Sequence, residues 1–263
     1  MSEVLRITSR RNPKVQWVRR LQRQAKARRE AQAWVAEGVR LGEEAWRARA
    51  AVQAVFFEPS LPARGRALVQ SWADQGVPVY QVTAAVMEAL SATASPPGLL
   101  VVLAQRPRPW PAHPTFVFIV DSVRDPGNLG TLLRTAWAAG VHAVAVVGSP
   151  VDPWSPKVVR AGMGAHFHVP LWVGDWAGLA PRLRGLTVYL AAMQGEVAYP
   201  DADFRAPVAL VVGGEAHGPS EEARQHAQRT VYIPMPGRAE SLNAAVAGGI
   251  LLFEVARQRH WRP

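Results

Sequence analysis

The chain has 263 residues, 49% hydrophobic and 19% charged, enough for a sizeable core and against wholesale disorder. It has no cysteine, which excludes disulfides, thiolate metal sites, iron–sulfur clusters and cysteine nucleophiles. The net charge of +10 is uneven, since residues 1–110 carry 17 basic against 8 acidic side chains and residues 111–263 carry 13 against 12, and this asymmetry points to a polyanion-binding module joined to something else.

Residues 12–36 read as a basic amphipathic helix, with Val18, Leu21 and Ala25 at helical spacing. The basic side chains in and just before it, Arg10, Arg11, Lys14, Arg19 and Arg20 among them, make this end the expected nucleic-acid-contacting surface. A second helix is expected over Val39 to Ala48, a strand at AVQAVFF (51–57), a helix over 65–75, a short strand near VPVY and a helix through VTAAVMEAL. GLLVVLA (98–104) reads as a buried strand, so the first part is a small α/β domain. The stretch QRPRPWPAHP has four prolines in ten residues and can continue neither a helix nor a central strand. Residues 106–114 are therefore read as a linker between a domain over 1–105 and another over 115–263.

The second part alternates more regularly. Strands are expected at TFVFIV (115–120), HAVAVVG (142–148), HFHVPLW, LTVYLAAM, VALVVGG (208–214) and TVYIPM (230–235). Helices are expected from Leu129 to Ala139, around 155–163, near 174–182, and from Ser241 to Gln258. Parallel strands with crossover helices are the natural assembly, and ligands then sit beyond the carboxyl ends of the strands. The loops to inspect are 121–130, 191–196, 213–220 and 233–243.

In the first loop Asp125-Pro126-Gly127 is a turn signal, with Asn128 at a helix start and Arg134 inside the helix. Alone, these are a cap and a surface arginine. In VVGGEAHGPS the pair Gly213 and Gly214 would let a ligand approach the backbone, with Glu215 next to them; the plain alternative is a tight turn into a helix capped by Ser220. In the last loop Ser241 reads as the cap of a helix with an apolar face at Leu242, Val246, Ile250 and Phe253. Gly248-Gly249 inside that helix suggests close packing against another backbone, a second subunit being one candidate. No P-loop, no dinucleotide fingerprint and no H-E-x-x-H is present, and no metal site is expected. No apolar run approaches the ~18 residues of a membrane span. The N-terminus lacks an apolar signal segment, so a cytoplasmic protein is expected.

Three segments in register, NLGTLLR (128–134), VGGEAHG (212–218) and IPMPGRAESLN (233–243), resemble the SpoU/TrmH branch of the SPOUT methyltransferases. SPKVVRAGMGAHFHVP (155–170) resembles the stretch between that family's first two motifs. The sequence departs from the pattern at Gly214, where the family often has Asn, and at Ala216, where Gly is common. The first half resembles the family's accessory substrate-binding domain, through ITSRRNPKVQWVRRL, WVAEGVRLGEEA and SPPGLLVVLA.

The resemblance implies an α/β fold: a ribosomal-protein-like α/β domain followed by a parallel-sheet domain with a deep trefoil knot. It implies methyl transfer from S-adenosylmethionine to a ribose 2′-hydroxyl of RNA, most readily ribosomal RNA, by a homodimer joined through its C-terminal domain. Arg134, Asn128, Glu215, Ser241 and Asn243 are the implied catalytic set; Gly213, Ile233, Leu242, Ala192 and Met235 the implied cofactor wall. A transfer-RNA 2′-O-methyltransferase, and a non-catalytic RNA-binding or ribosome-assembly protein on the same scaffold, stay open as alternatives.

Overall fold

The computed structural model describes residues 5–148, 151–214, 218–237 and 239–260. They form two compact units: one runs to Arg106 and includes Trp154–Phe167; the other takes Pro107–Pro153 and continues from His168.

The first unit holds β1 (Leu5–Ile7), α1 (Pro13–Arg23), α2 (Ala25–Ala31), β2 (Ala33–Glu37), α3 (Val39–Arg47), β3 (Val52–Phe57), α4 (Ala63–Asp74), β4 (Val79–Val82), α5 (Ala84–Leu90) and β5 (Leu99–Ala104). Its five strands run in the order β1-β4-β3-β5-β2, with β5 antiparallel to β3 and β2. Val15, Val18 and Leu21 of α1 pack on Val35, Phe56, Leu100 and Val102 of the sheet.

The helix expected over 12–36 is broken. Gln24 is extended (φ −125°) between α1 and α2, and Gln32 turns left-handed (φ 45°) to end α2. Residues 33–37 then form a strand whose Ala33, Trp34, Val35 and Ala36 are all buried. Pairing with β5 overrides the local helical spacing. Arg28 is buried, and its guanidinium donates to the Leu21 carbonyl at 2.6 Å, closing the end of α1. Its charge is therefore structural.

The chain continues with β6 (Phe116–Asp121), α6 (Pro126–Ala138), β7 (Ala143–Val147), α7 (Pro156–Gly162), α8 (Ala165–His168), β8 (Leu171–Val173) and α9 (Trp176–Leu179). It ends with β9 (Thr187–Ala191), β10 (Val197–Ala198), β11 (Val208–Gly213), α10 (Glu221–His226), β12 (Arg229–Tyr232) and α11 (Ala244–His260). The second unit's seven strands are ordered β10-β12-β9-β11-β6-β7-β8, and all pairings are parallel. β6, β7 and β11 are near-continuous apolar runs, as burial on both faces demands.

Trp154–Phe167 lies in the second half of the sequence yet belongs to the first unit. The reason is aromatic: the Trp34 ring sits 5.3 Å from Trp154, 5.7 Å from His166 and 5.2 Å from Phe167. HFHVPLW, expected as a strand, begins as the short helix α8, and only Leu171–Val173 joins the sheet.

Two helix starts differ from expectation. α6 begins at Pro126, because the Asp125 carboxylate accepts the Asn128 N–H at 2.8 Å. α11 begins at Ala244, and its cap is Asn243 rather than Ser241: Asn243 Oδ1 accepts from the N–H groups of Ala245 (2.9 Å) and Val246 (3.3 Å). Ser220 caps α10, accepting the Ala223 N–H at 3.1 Å. Farther along α11, Gln258 donates to the Ala202 carbonyl (2.9 Å) and accepts from the Phe204 N–H (2.8 Å), fixing the helix over the buried Phe204.

The glycine pair of α11 packs within the chain. A Cβ on Gly248 would collide with Leu132 of α6, whereas one on Gly249 would make only ordinary contact with Thr135 at 3.7 Å. The close approach at Gly248 thus serves the α6–α11 contact. Val246 and Phe253 of the expected apolar face are 52% and 45% exposed.

Gly248→Ala is accordingly expected to lose about 1–3 kcal/mol through overpacking, despite alanine's ~1 kcal/mol advantage in a helix interior. Gly249→Ala is expected to keep or slightly raise stability. Thermal melts of the two variants against the parent check the contrast; equal melting temperatures would refute it.

Candidate functional site

At the carboxyl edge of the parallel sheet the chain passes tightly against itself. Asp121, at the end of β6, is fully buried. Its Oδ2 accepts the Ser220 N–H at 2.6 Å and its Oδ1 accepts the Ser122 hydroxyl at 3.2 Å. A Cβ on Gly213 would collide with the backbone of Pro219, and one on Gly214 would lie 2.5 Å from the Ser122 carbonyl oxygen. The glycines expected to admit a ligand are thus required first by the chain's own crossing.

Beside this crossing is a cavity of about 810 Å³. Three segments line it: Ala191, Ala192, Met193 and Gln194 after β9; Gly213, Gly214, Gly218 and Pro219 after β11; and Ile233, Met235, Ser241, Leu242 and Asn243 on the way into α11. All five residues expected as the cofactor wall (Gly213, Ile233, Leu242, Ala192 and Met235) line it. Val212, Val231 and Leu251 add apolar wall, and Arg224 is the one charged side chain among the described lining residues. The volume lies in the ~300–1,000 Å³ range of small-molecule sites. Small side chains with main-chain polar groups at strand ends suit a flat, largely apolar ligand with a few polar edges.

The expected catalytic residues are only partly assembled. Ser241 and Asn243 line the cavity. The Asn243 side-chain amide donates to Asn128 Oδ1 at 3.0 Å, joining the starts of α11 and α6. Arg134 lies farther along α6, about 9 Å by helix rise from Asn128. It is exposed and does not line the cavity. Glu215 lies outside the described residues.

The expected RNA-binding residues sit on the first unit in unequal states. The Arg10 guanidinium donates to the Ala85 carbonyl (2.7 Å) and to Glu88 (3.3 Å). The Lys14 ammonium lies over the Tyr80 ring, 4.9 Å from its centroid, and Arg19 is half-buried with Nε enclosed. Arg11 and Arg20 are exposed. Sequence reasoning passed over Asp121 and Arg224; the former was signalled by an acid ending the otherwise apolar FVFIVD. Among the described residues, no group of three or more His, Cys, Asp or Glu is placed to hold a metal, and no helix is long and apolar enough to cross a membrane.

The SpoU rRNA Methylase family model matches residues 115–253, and the MRM3-like substrate binding domain matches residues 12–101. An uncharacterized tRNA/rRNA methyltransferase of Synechocystis sp. is 31% identical, over 98% of this chain and 96% of its own. The 23S rRNA (guanosine(2553)-2′-O)-methyltransferase RlmP of Bacillus subtilis is 30% identical, over 95% of this chain and 98% of its own. The crystal structure of an AdoMet-bound rRNA methyltransferase from Sinorhizobium meliloti superposes with a TM-score of 0.87 at 32% identity, covering 97% of this chain and 98% of that one. With a family match over more than half its length and relatives alike from end to end, the chain belongs to the SpoU rRNA methylase family.

Proposed function

We propose that this chain transfers a methyl group from S-adenosylmethionine to a ribose 2′-hydroxyl of ribosomal RNA. The observation that carries the reading is the cavity at the strand ends, walled by Gly213, Ile233, Leu242, Ala192 and Met235. Likeness to a structure with AdoMet bound and to a ribosomal RNA 2′-O-methyltransferase supports the same donor and substrate class here. The basic first unit, matched by a substrate-binding domain model, supports RNA docking there.

Bound S-adenosylmethionine supplies an electrophilic methyl group. The chain's own task is to align the 2′-oxygen and stabilise the charge developing on it. Arg134 is assigned that stabilisation. Its planar fork of N–H donors holds the adjacent phosphate and the developing oxyanion, while phosphate or water takes the hydroxyl proton. The Asn128–Asn243 bridge orders the two helix starts beside the cavity. Ser241 and Glu215 complete the RNA-ordering set.

The passage of Gly213 and Gly214 against Pro219 and Ser122 supports a trefoil knot at the strand ends. The exposed Val246 and Phe253 on α11 support a homodimer through that face. A cytoplasmic location, beside the ribosomes, is part of the same proposal.

Arg134→Ala is expected to lower methyl transfer by about 100-fold or more, the size of a lost oxyanion donor, while calorimetric S-adenosylmethionine affinity stays within about twofold. Arg134→Lys keeps the charge but loses the planar fork, so it should rescue little. A fully active Arg134→Ala enzyme would overturn the assignment. Sedimentation is expected to give a dimer at micromolar concentration, with Val246→Arg combined with Phe253→Arg monomeric; a monomeric parent would refute that interface. RNA affinity is expected to fall steeply with salt. Arg11→Glu with Arg20→Glu should weaken RNA binding without changing cofactor affinity. Point variants are the cleaner test, because deleting residues 1–106 would uncover the Trp154–Phe167 segment that packs on Trp34. Salt-independent affinity would refute the electrostatic account.

A further inference from the structure

Trp137, in the last turn of α6, belongs neither to the core nor to the cavity wall. It is 36% exposed, and its indole lies flat on the His168 imidazole, with centroids 4.3 Å apart and 4° between the planes. No other ring approaches Trp137 among the described residues. A ring held parallel by a second ring offers a rigid planar surface at small entropic cost.

Two placements bear on what could cover it. Arg134 precedes Trp137 by three residues, so the two are neighbours on the helix surface, about 4.5 Å apart along the axis. Thr135, by contrast, faces Gly249 of α11. Two residues on from Thr135, Trp137 lies about 200° farther around the helix, on the side away from α11. It is therefore separate from the Val246 and Phe253 face assigned above to the dimer. A planar aromatic beside an exposed cation is the combination that binds single-stranded nucleic acid, the ring taking a base and the cation a phosphate.

We infer that the Trp137–His168 stack is a platform for one RNA base flanking the target ribose, with Arg134 holding the phosphate between them. This rests on the assignment of Arg134 to the RNA phosphate. His168 is a positioning residue, which keeps the indole in plane, and Trp137 makes the contact.

The test uses the full chain, an unmodified 23S rRNA transcript and the variants Trp137→Phe, Trp137→Leu, Trp137→Ala and His168→Ala. RNA affinity by filter binding, KM and kcat for methyl transfer, S-adenosylmethionine affinity and sedimentation are measured for each. Trp137→Ala is expected to weaken RNA binding and raise KM about tenfold, the effect of losing one base–aromatic stack. The loss should fall on KM rather than kcat, with the cofactor affinity and association state of the parent. Trp137→Phe should restore most of it, Trp137→Leu little, and His168→Ala should fall between. Leu performing as well as Phe would replace stacking by simple apolar contact and overturn the inference. So would unchanged RNA affinity in Trp137→Ala, or a loss explained by dissociation into monomers. A parent that binds the transcript without methylating it would instead sink the proposed function, and the order of RNA affinities would still decide for or against the platform.

Discussion

A carboxylate with no exposure must find hydrogen bonds within the protein, because an unpaired buried charge is far more costly than a paired one. Asp121 finds them at Ser122 and at the Ser220 N–H. The second bond ties the end of β6 to the start of α10 across 99 residues of sequence. It thereby holds Gly218 and Pro219 against Gly213, and those residues form one wall of the cavity. The crossing is tight because two glycines without side chains lie where any Cβ would meet backbone.

The opposite wall depends on a second polar bridge. Asn243 both caps α11 and donates to Asn128 on α6. Each of its side-chain ends is used, Oδ1 on the helix start and Nδ2 on the neighbouring helix. A serine there would be too short for both. Gly248 allows α11 to lie close enough to α6 for the bridge to form. Packing deep in the helix pair and polar order at the cavity rim are one arrangement.

Much of this was legible in the residues, for identifiable reasons. β6, β7 and β11 are near-continuous apolar runs, and turn-forming residues flank them, so strand pattern and order along the chain were plain. The residues expected as the cofactor wall sit in loops that any parallel sheet gathers at one edge, and they line one cavity there. What local pattern missed depends on distant partners. AWVAE continues a helical spacing yet pairs with β5, some 65 residues away. Asn243, not Ser241, caps α11 because the turn before the helix sets which side chain reaches the free N–H groups. Charge alone could not separate Arg28, spent on a helix end, from the exposed Arg11 and Arg20.

The segment Trp154–Phe167 gives the chain an order of assembly. Trp34 enters β2 early in synthesis, but the rings that surround it are made more than a hundred residues later. Domains usually fold as units, the N-terminal one first, as the chain leaves the ribosome. The main core of the first unit lies within residues 7–102, but Trp34 stays without these rings until residue 167 has emerged, by which time β6, α6 and β7 are already outside. Completion of the first unit thus waits on the second half of the chain, with the Trp34 side chain of β2 uncovered by its partner rings through much of translation.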